Sequence, residues 1–234
     1  MDSSYTPSAI IRHTHFTGGA SKDIATLLKS KGTFMAAVFA TLIAQLAFTF
    51  YVMHAIGNDP SVASKVKSWF LVIFLAQIAI LFILALVPMP MIAKLLLFTV
   101  FSGLSGMLLS NLNSIPQSVL NAALLGTIGV FVTTFIMGLA LTVAGVDMSW
   151  MGGYLLAALL GLLIAQIVML FFTVSSTMHK IILYIGLALF SVYIVYDTNV
   201  MLGRDYQGDY VTGAMDYYLD FINVFVRLVD LMNS

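Results

Sequence analysis

Apolar residues run along this chain in blocks of about twenty, the length that crosses roughly 30 Å of hydrocarbon as a helix rising about 1.5 Å per residue. The blocks predict spanning helices near residues 33–56, 68–87, 91–110, 117–143, 151–173 and 178–202. Between them lie short breakers at 57–67, at Val87-Pro88-Met89-Pro90, at 111–116, at 145–149 and at 174–177. Connectors this short favour antiparallel neighbours in one bundle.

A seventh segment, 213–233, keeps the helical period but carries Asp216, Asp220, Asn223, Arg227 and Asp230. Spacings of four, three and four put Asp216, Asp220, Asn223 and Arg227 on one face, with Tyr217, Phe221, Val224 and Leu228 on another. So polar a helix must hide its groups from lipid. The expected fold is an all-α integral membrane protein, a seven-transmembrane-helix bundle with a polar central C-terminal helix. It comprises a soluble tail at 1–32 and a transmembrane domain at 33–234.

Composition agrees: 61% of the 234 residues are hydrophobic and 9% charged, where a soluble domain carries about a quarter charged. Ten basic residues balance ten acidic ones, which leaves no basic footprint for nucleic acid. With no cysteine, disulfides and thiolate catalysis are excluded. The first 30 residues lack the apolar core of a signal peptide. Arg12, Lys22, Lys29 and Lys31 precede the first span. With Lys94 and Arg204 falling on the same side if spans alternate, they predict a cytosolic N-terminus.

Small residues recur every fourth position as Ser102, Gly106 and Ser110 and as Ala157, Gly161 and Ala165. Both stripes are expected to pack helix on helix.

The strongest chemical signal is Asp197, inside the run from Tyr193 to Asn199 near the end of the sixth span. A carboxylate at membrane depth costs a few kcal/mol and normally faces a partner, a proton path or an aqueous cavity. The plainer alternative puts it at the interface, ending the helix. Asp220, on the next segment, is its expected partner. Two facing carboxylates cannot both ionise cheaply and should share a proton, with one apparent pKa raised towards neutrality. The same oxygens suit Ca²⁺, and Asp216, one turn before Asp220, extends the track unless it is a first-turn acid at a helix dipole. Tyr193 and Tyr196 are expected to pack and hydrogen-bond beside Asp197, and Asn223 and Arg227 to support the site from the last helix. Locally, Arg227 reads as a surface ion pair with Asp230. His13 and His15 in the tail make a poor metal site, and His54 and His179 are isolated at span ends.

Two protease readings compete. Gly103-Leu104-Ser105-Gly106 has the form found around a rhomboid nucleophile, with His179 as a remote base. Tyr196-Asp197 followed by an acidic helix is similar to a presenilin-like aspartyl pair, but Asp216 lacks the preceding glycine and no Pro-Ala-Leu follows.

At these residues the chain resembles the BAX-inhibitor-1 (transmembrane BAX inhibitor motif) family. The likeness lies in Tyr218-Leu219-Asp220-Phe221-Ile222-Asn223-Val224-Phe225, in Gly208-Asp209-Tyr210 and Tyr196-Asp197-Thr198, and more loosely in Met151-Gly152-Gly153. The resemblance implies seven helices with the last one central and a slow, pH-dependent Ca²⁺ leak sensed by Asp197 and Asp220. It also implies a link to calcium homeostasis and, in eukaryotic members, suppression of cell death. The basic latch described at the end of the second span in relatives has no counterpart in residues 68–87, and Lys94 is the nearest cation. The expectation is therefore a non-enzymatic leak with no cofactor, Ca²⁺ being the transported ion. Its partners would be the bilayer and cell-death regulatory membrane proteins, in the endoplasmic reticulum or Golgi if eukaryotic or viral and the inner membrane if bacterial. The alternatives are an intramembrane aspartyl protease and a non-conducting regulator of apoptosis.

Overall fold

A computed structural model describes residues 5–6 and 23–233. Eight helices follow one another: α1 (Ile24–Gly57), α2 (Pro60–Ser68), α3 (Phe70–Leu86), α4 (Met91–Leu109), α5 (Gln117–Val143), α6 (Gly152–Phe171), α7 (Ser176–Gly203) and α8 (Tyr210–Asn233). A two-residue strand β1 (Tyr5–Thr6) pairs antiparallel with β2 (Met89–Pro90), Tyr5 opposite Pro90 and Thr6 opposite Met89. His13 and His15 lie outside the described residues.

Five of these segments are long and apolar enough to cross a membrane, and six if α2 and α3, which meet at a 69° bend, form one broken span. The protein is a multi-pass membrane protein. Helix α8, with Asp216, Asp220, Arg227 and Asp230 in 24 residues, falls outside that description on composition alone.

Two features depart from the hydropathy pattern. Helix α1 begins at Ile24, nine residues before the apolar block, so 24–32 of the expected tail are helical. The connector 57–67 contains α2 instead of a loop. Asp59 caps α2 by accepting the N–H groups of Ser61 and Val62 at 2.9 and 3.3 Å, and Pro60 occupies its first turn.

The helices form two compact units. The first contains residues 5–6, 32–116 and 206–218. Here α3 packs on α4, and α4 meets α1 so closely that a Cβ on Gly106 would lie 2.6 Å from the Thr49 carbonyl oxygen. The Ser102–Gly106–Ser110 stripe is therefore a helix-packing surface, as expected. Thr49 donates to the Ser102 carbonyl at 3.0 Å and meets the Tyr218 hydroxyl at 2.6 Å. Phe98 and Phe101 set their rings at a steep angle to that of Tyr218, with centroids 5.2 and 6.0 Å away.

The second unit contains residues 23–31, 117–205 and 219–233, and its main packing is α5 against α7. The stripe on α6 does not behave like its twin on α4. Ala157 and Gly161 are exposed, and a Cβ on Gly161 would touch nothing within 4 Å. The reading of that stripe as an intrachain packing surface is thus corrected, because a small-residue pattern does not say whether a neighbouring helix or lipid covers it.

Candidate functional site

The last two turns of α7 are the most deeply buried part of that helix. Asp197, Thr198, Asn199, Val200, Met201, Leu202 and Gly203 are consecutive buried residues. Asp197 is 8% exposed. Around it the helix is held by short contacts within its unit. A Cβ on Gly138 of α5 would sit 2.6 Å from Thr198 Cβ and 2.7 Å from the Val195 carbonyl oxygen, so α5 and α7 touch backbone to backbone on either side of Asp197. Tyr193 and Tyr196 make an edge contact at 6.5 Å, and Tyr193 stacks on Phe190 at 6.0 Å. The Tyr196 hydroxyl occupies the space a side chain on Gly152 would need, 2.5 Å from its Cβ position. That gives Met151-Gly152-Gly153 a physical reason.

Asn199 was not singled out by its spacing, and its role is plain in three dimensions. It is fully buried. Its amide donates to Thr142 Oγ1 at 3.0 Å and to the Val146 carbonyl at 2.9 Å, and its oxygen accepts the Met148 N–H at 3.0 Å. One side chain thereby ties the α5–α6 connector to α7 two residues past Asp197. Asn199→Leu, which fills similar volume but strands the buried Thr142 hydroxyl and Met148 N–H, should cost about 1–3 kcal/mol and lower the unfolding temperature of the detergent-purified protein.

Asp220 is 3% exposed and shares the second unit with Asp197. The two expected sensor carboxylates are thus both buried, one on α7 and one on α8. Asp216, half-buried, belongs to the first unit. Among the described residues no group of three or more His, Asp or Glu side chains is arranged to hold a metal ion.

Arg227 corrects the local reading of a surface ion pair. It is 5% exposed, its Nη1 donates to the Asn223 backbone carbonyl and to Asn223 Oδ1 at 2.9 Å each, and its guanidinium lies 4.6 Å from the centre of the Phe190 ring. It fits against Gly186, where any side chain would collide with it. Asn223 and Arg227 therefore belong to the buried polar side of α8; the i, i+3 spacing to Asp230 does bring the two charges within electrostatic reach, but it carries no information about burial.

The first unit holds a second buried charged group. Lys94 of α4 is 1% exposed and pairs with Asp209 Oδ2 at 2.6 Å while also donating to Thr212 Oγ1 at 3.0 Å. Asp209 precedes α8 and caps it, accepting the Thr212 N–H at 3.0 Å and its hydroxyl at 2.7 Å. Burial pushes the Asp209 carboxyl up, but the Lys94 ammonium and the Thr212 donors together bring it below the ordinary carboxylate range. Gly208 just before it has φ +77°, a backbone that glycine adopts without strain. Lys94 is thus a committed structural partner, and it drops out of the count of surface charges used to orient the chain.

A family model described as inhibitor of apoptosis-promoting Bax1 matches residues 31–234. The chain belongs to the Bax inhibitor family. An uncharacterized protein of Deinococcus radiodurans is 33% identical over 213 residues, covering 86% of this chain and 90% of that one. The Bax inhibitor 1 of Schizosaccharomyces pombe is 26% identical over 207 residues, 85% of this chain and 75% of the relative. The inner membrane protein YbhL of Escherichia coli is 27% identical over 221 residues, 86% and 92% respectively.

In this Bax inhibitor chain the serine of Gly103-Leu104-Ser105-Gly106 has ordinary packing roles. Its hydroxyl donates to the Phe101 carbonyl at 3.0 Å and accepts the Gln77 amide at 2.5 Å. Its neighbour Gly106 is the point of closest approach to α1.

Proposed function

We propose that this Bax inhibitor protein is a pH-sensitive Ca²⁺ leak channel rather than an enzyme, with α8 completing a seven-helix bundle as its polar helix. The observation that carries the reading is the burial of Asp197 and Asp220 in one compact unit, on two helices of a membrane protein. Carboxylates buried between helices of a membrane protein pair with one another or line an ion or proton path. Two that share a proton change their joint charge as pH crosses the second ionisation, and a cation is attracted to the pair in its deprotonated state. Ca²⁺ is the cargo in this reading and needs no closed resident site. Asp216, one turn from Asp220 on α8, offers the next carboxylate along the path. Arg227, held by Asn223 and Phe190, fixes the helix beyond it.

Protonation shifts the equilibrium only through the difference in interaction between two placements of α8. The test is Ca²⁺ entry into dye-loaded proteoliposomes between about pH 5.5 and 8, a range that brackets a carboxylate shifted by burial and pairing. Wild-type flux should vary several-fold across that range, whereas Asp197→Asn and Asp220→Asn should each flatten the profile. Unchanged pH dependence in both variants would defeat the dyad mechanism.

The family description and the name of the fission yeast relative favour a second reading, a membrane regulator of apoptosis that acts through protein partners and conducts nothing. Absence of flux at every pH from folded, purified protein would select it. The compartment follows the host, the inner membrane in a bacterium, as the name of the Escherichia coli relative has it, and the endoplasmic reticulum or Golgi in a eukaryote or virus.

A further inference from the structure

Helix α2 and the groove beside it are used by nothing described so far. At about 100° per residue, Val62, Ala63 and Val66 fall on one side of α2, Ser61, Ser64 and Ser68 on the opposite side, and Lys65 and Lys67 on the two flanks between them. Apolar underside, serine back and a lysine on each edge is the pattern of a helix lying in the plane of a membrane surface. The 69° bend at Trp69 turns α2 away from the axis of α3, whose one polar side chain is Gln77. Val66 is buried, the two lysines are exposed and Trp69 is 61% exposed. That is the placement expected of an aromatic ring at the headgroup level.

Below this corner runs a groove of about 280 Å³ lined by Lys65, Val66, Trp69, Ile73 and Met107. Its lining is apolar apart from the lysine, and Leu71, Val72 and Leu75 of α3 are exposed. We propose that this corner is a binding site for an anionic phospholipid, with Lys65 holding the headgroup phosphate and an acyl chain lying in the groove along α3. The charge favours an anionic headgroup. Helix α2 carries two lysines and no acid, and the acid just before it in sequence, Asp59, is engaged by the Ser61 N–H and hydroxyl and the Val62 N–H. A zwitterionic lipid brings its own cation to the phosphate and gains less from a lysine, whereas each basic residue near an anionic surface raises lipid occupancy by about fivefold. The groove wall is carbon apart from the lysine, which suits a hydrocarbon chain.

The two tryptophans of the chain are Trp69 and Trp150, so Trp150→Phe leaves one reporter within the groove. Full-length Trp150→Phe protein is reconstituted into phosphatidylcholine containing equal mole fractions of either brominated phosphatidylglycerol or brominated phosphatidylcholine, and quenching of Trp69 is measured. The expected result is quenching by the brominated anionic lipid at several-fold lower mole fraction. Adding Lys65→Gln should remove that preference, and Lys67→Gln should weaken it. Both changes are at exposed positions and should leave the unfolding temperature unaltered. Equal quenching by the two headgroups would mean bulk lipid contact only and would overturn the proposal. So would an anionic preference that survives the double lysine variant. Protection of Trp69 from both lipids would overturn it too, assigning the groove to a protein surface such as a second copy of the chain.

Discussion

Lys94→Met should be the most damaging single conservative change in this protein. Methionine keeps the length of the side chain, so packing is nearly preserved, but the fully buried Asp209 loses the Lys94 ammonium. Breaking a buried ion pair from one side costs about 3–5 kcal/mol, against total stabilities of about 5–15 kcal/mol. The measurement is the apparent unfolding temperature of purified protein in detergent. The informative partner is the double variant Lys94→Met/Asp209→Asn. Asparagine still caps α8 by accepting the Thr212 N–H, while carrying no charge to strand. The double variant should therefore be more stable than Lys94→Met alone. A double variant no better than the single one would show that Lys94 acts through packing instead.

The pH dependence gives an independent check on the same pair. In the wild type the folded Asp209 carboxyl titrates below its ordinary value. Its contribution is then complete above the unfolded value of about 3.9 and is lost only as pH falls through the lower folded value. Across the range where the leak is to be tested, Asp209 stays ionised and adds no slope. Without Lys94, burial dominates and favours the neutral acid, so the sign reverses. Lys94→Met should become more stable as pH is lowered from about 7 towards 4.5, whereas the wild type gains nothing there from this group.

Long-range pairing of this kind is what the sequence could not supply. Gly208-Asp209-Tyr210 is visible as a motif, and a glycine followed by an acid before a helix already predicts a turn and a cap. That the cap is neutralised by a lysine 115 positions earlier depends on how α4 meets the start of α8, and no local pattern encodes it. The apolar blocks were more informative. Six of the helices lie within about three residues of the expected spans at nearly every end, because a run of that length in lipid has few alternatives to a helix. The exceptions have physical causes. Helix α2 is short and polar, below what a hydropathy reading detects, although Asp59-Pro60 is a helix-start signal. The early start of α1 crosses Lys29 and Lys31, which interrupt the apolar block without interrupting the helix. As for the site, burial of Asp197 and Asp220 followed from the cost of their charge. The depth of Asn199 and Arg227 did not, since a polar residue's partners decide whether it can be buried and those partners come from other helices.

Two glycines that sequence spacing does not rank give the second large effect. Gly161 sits between Ala157 and Ala165, and Gly138 between Thr134 and Thr142, each at four-residue spacing, so pattern alone treats them alike. The structure separates them. A methyl group at Gly138 would be forced against the Val195 carbonyl and Thr198 Cβ. A backbone atom cannot swing aside as a side-chain tip does, so α5 and α7 must separate. Gly138→Ala should cost about 1–3 kcal/mol by overpacking, and Gly138→Leu should cost more, while Gly161→Ala should be neutral or slightly stabilising through helix propensity. Thermal unfolding of the three variants in one detergent tests this ranking. The functional consequence follows from position, because Val195 and Thr198 bracket Asp197. If that carboxylate senses pH, Gly138→Ala should also displace the midpoint of the flux profile in folded protein, and Gly161→Ala should leave it in place. A lowered unfolding temperature with an unmoved midpoint would separate the packing of α7 from the sensing role of Asp197 and count against the dyad.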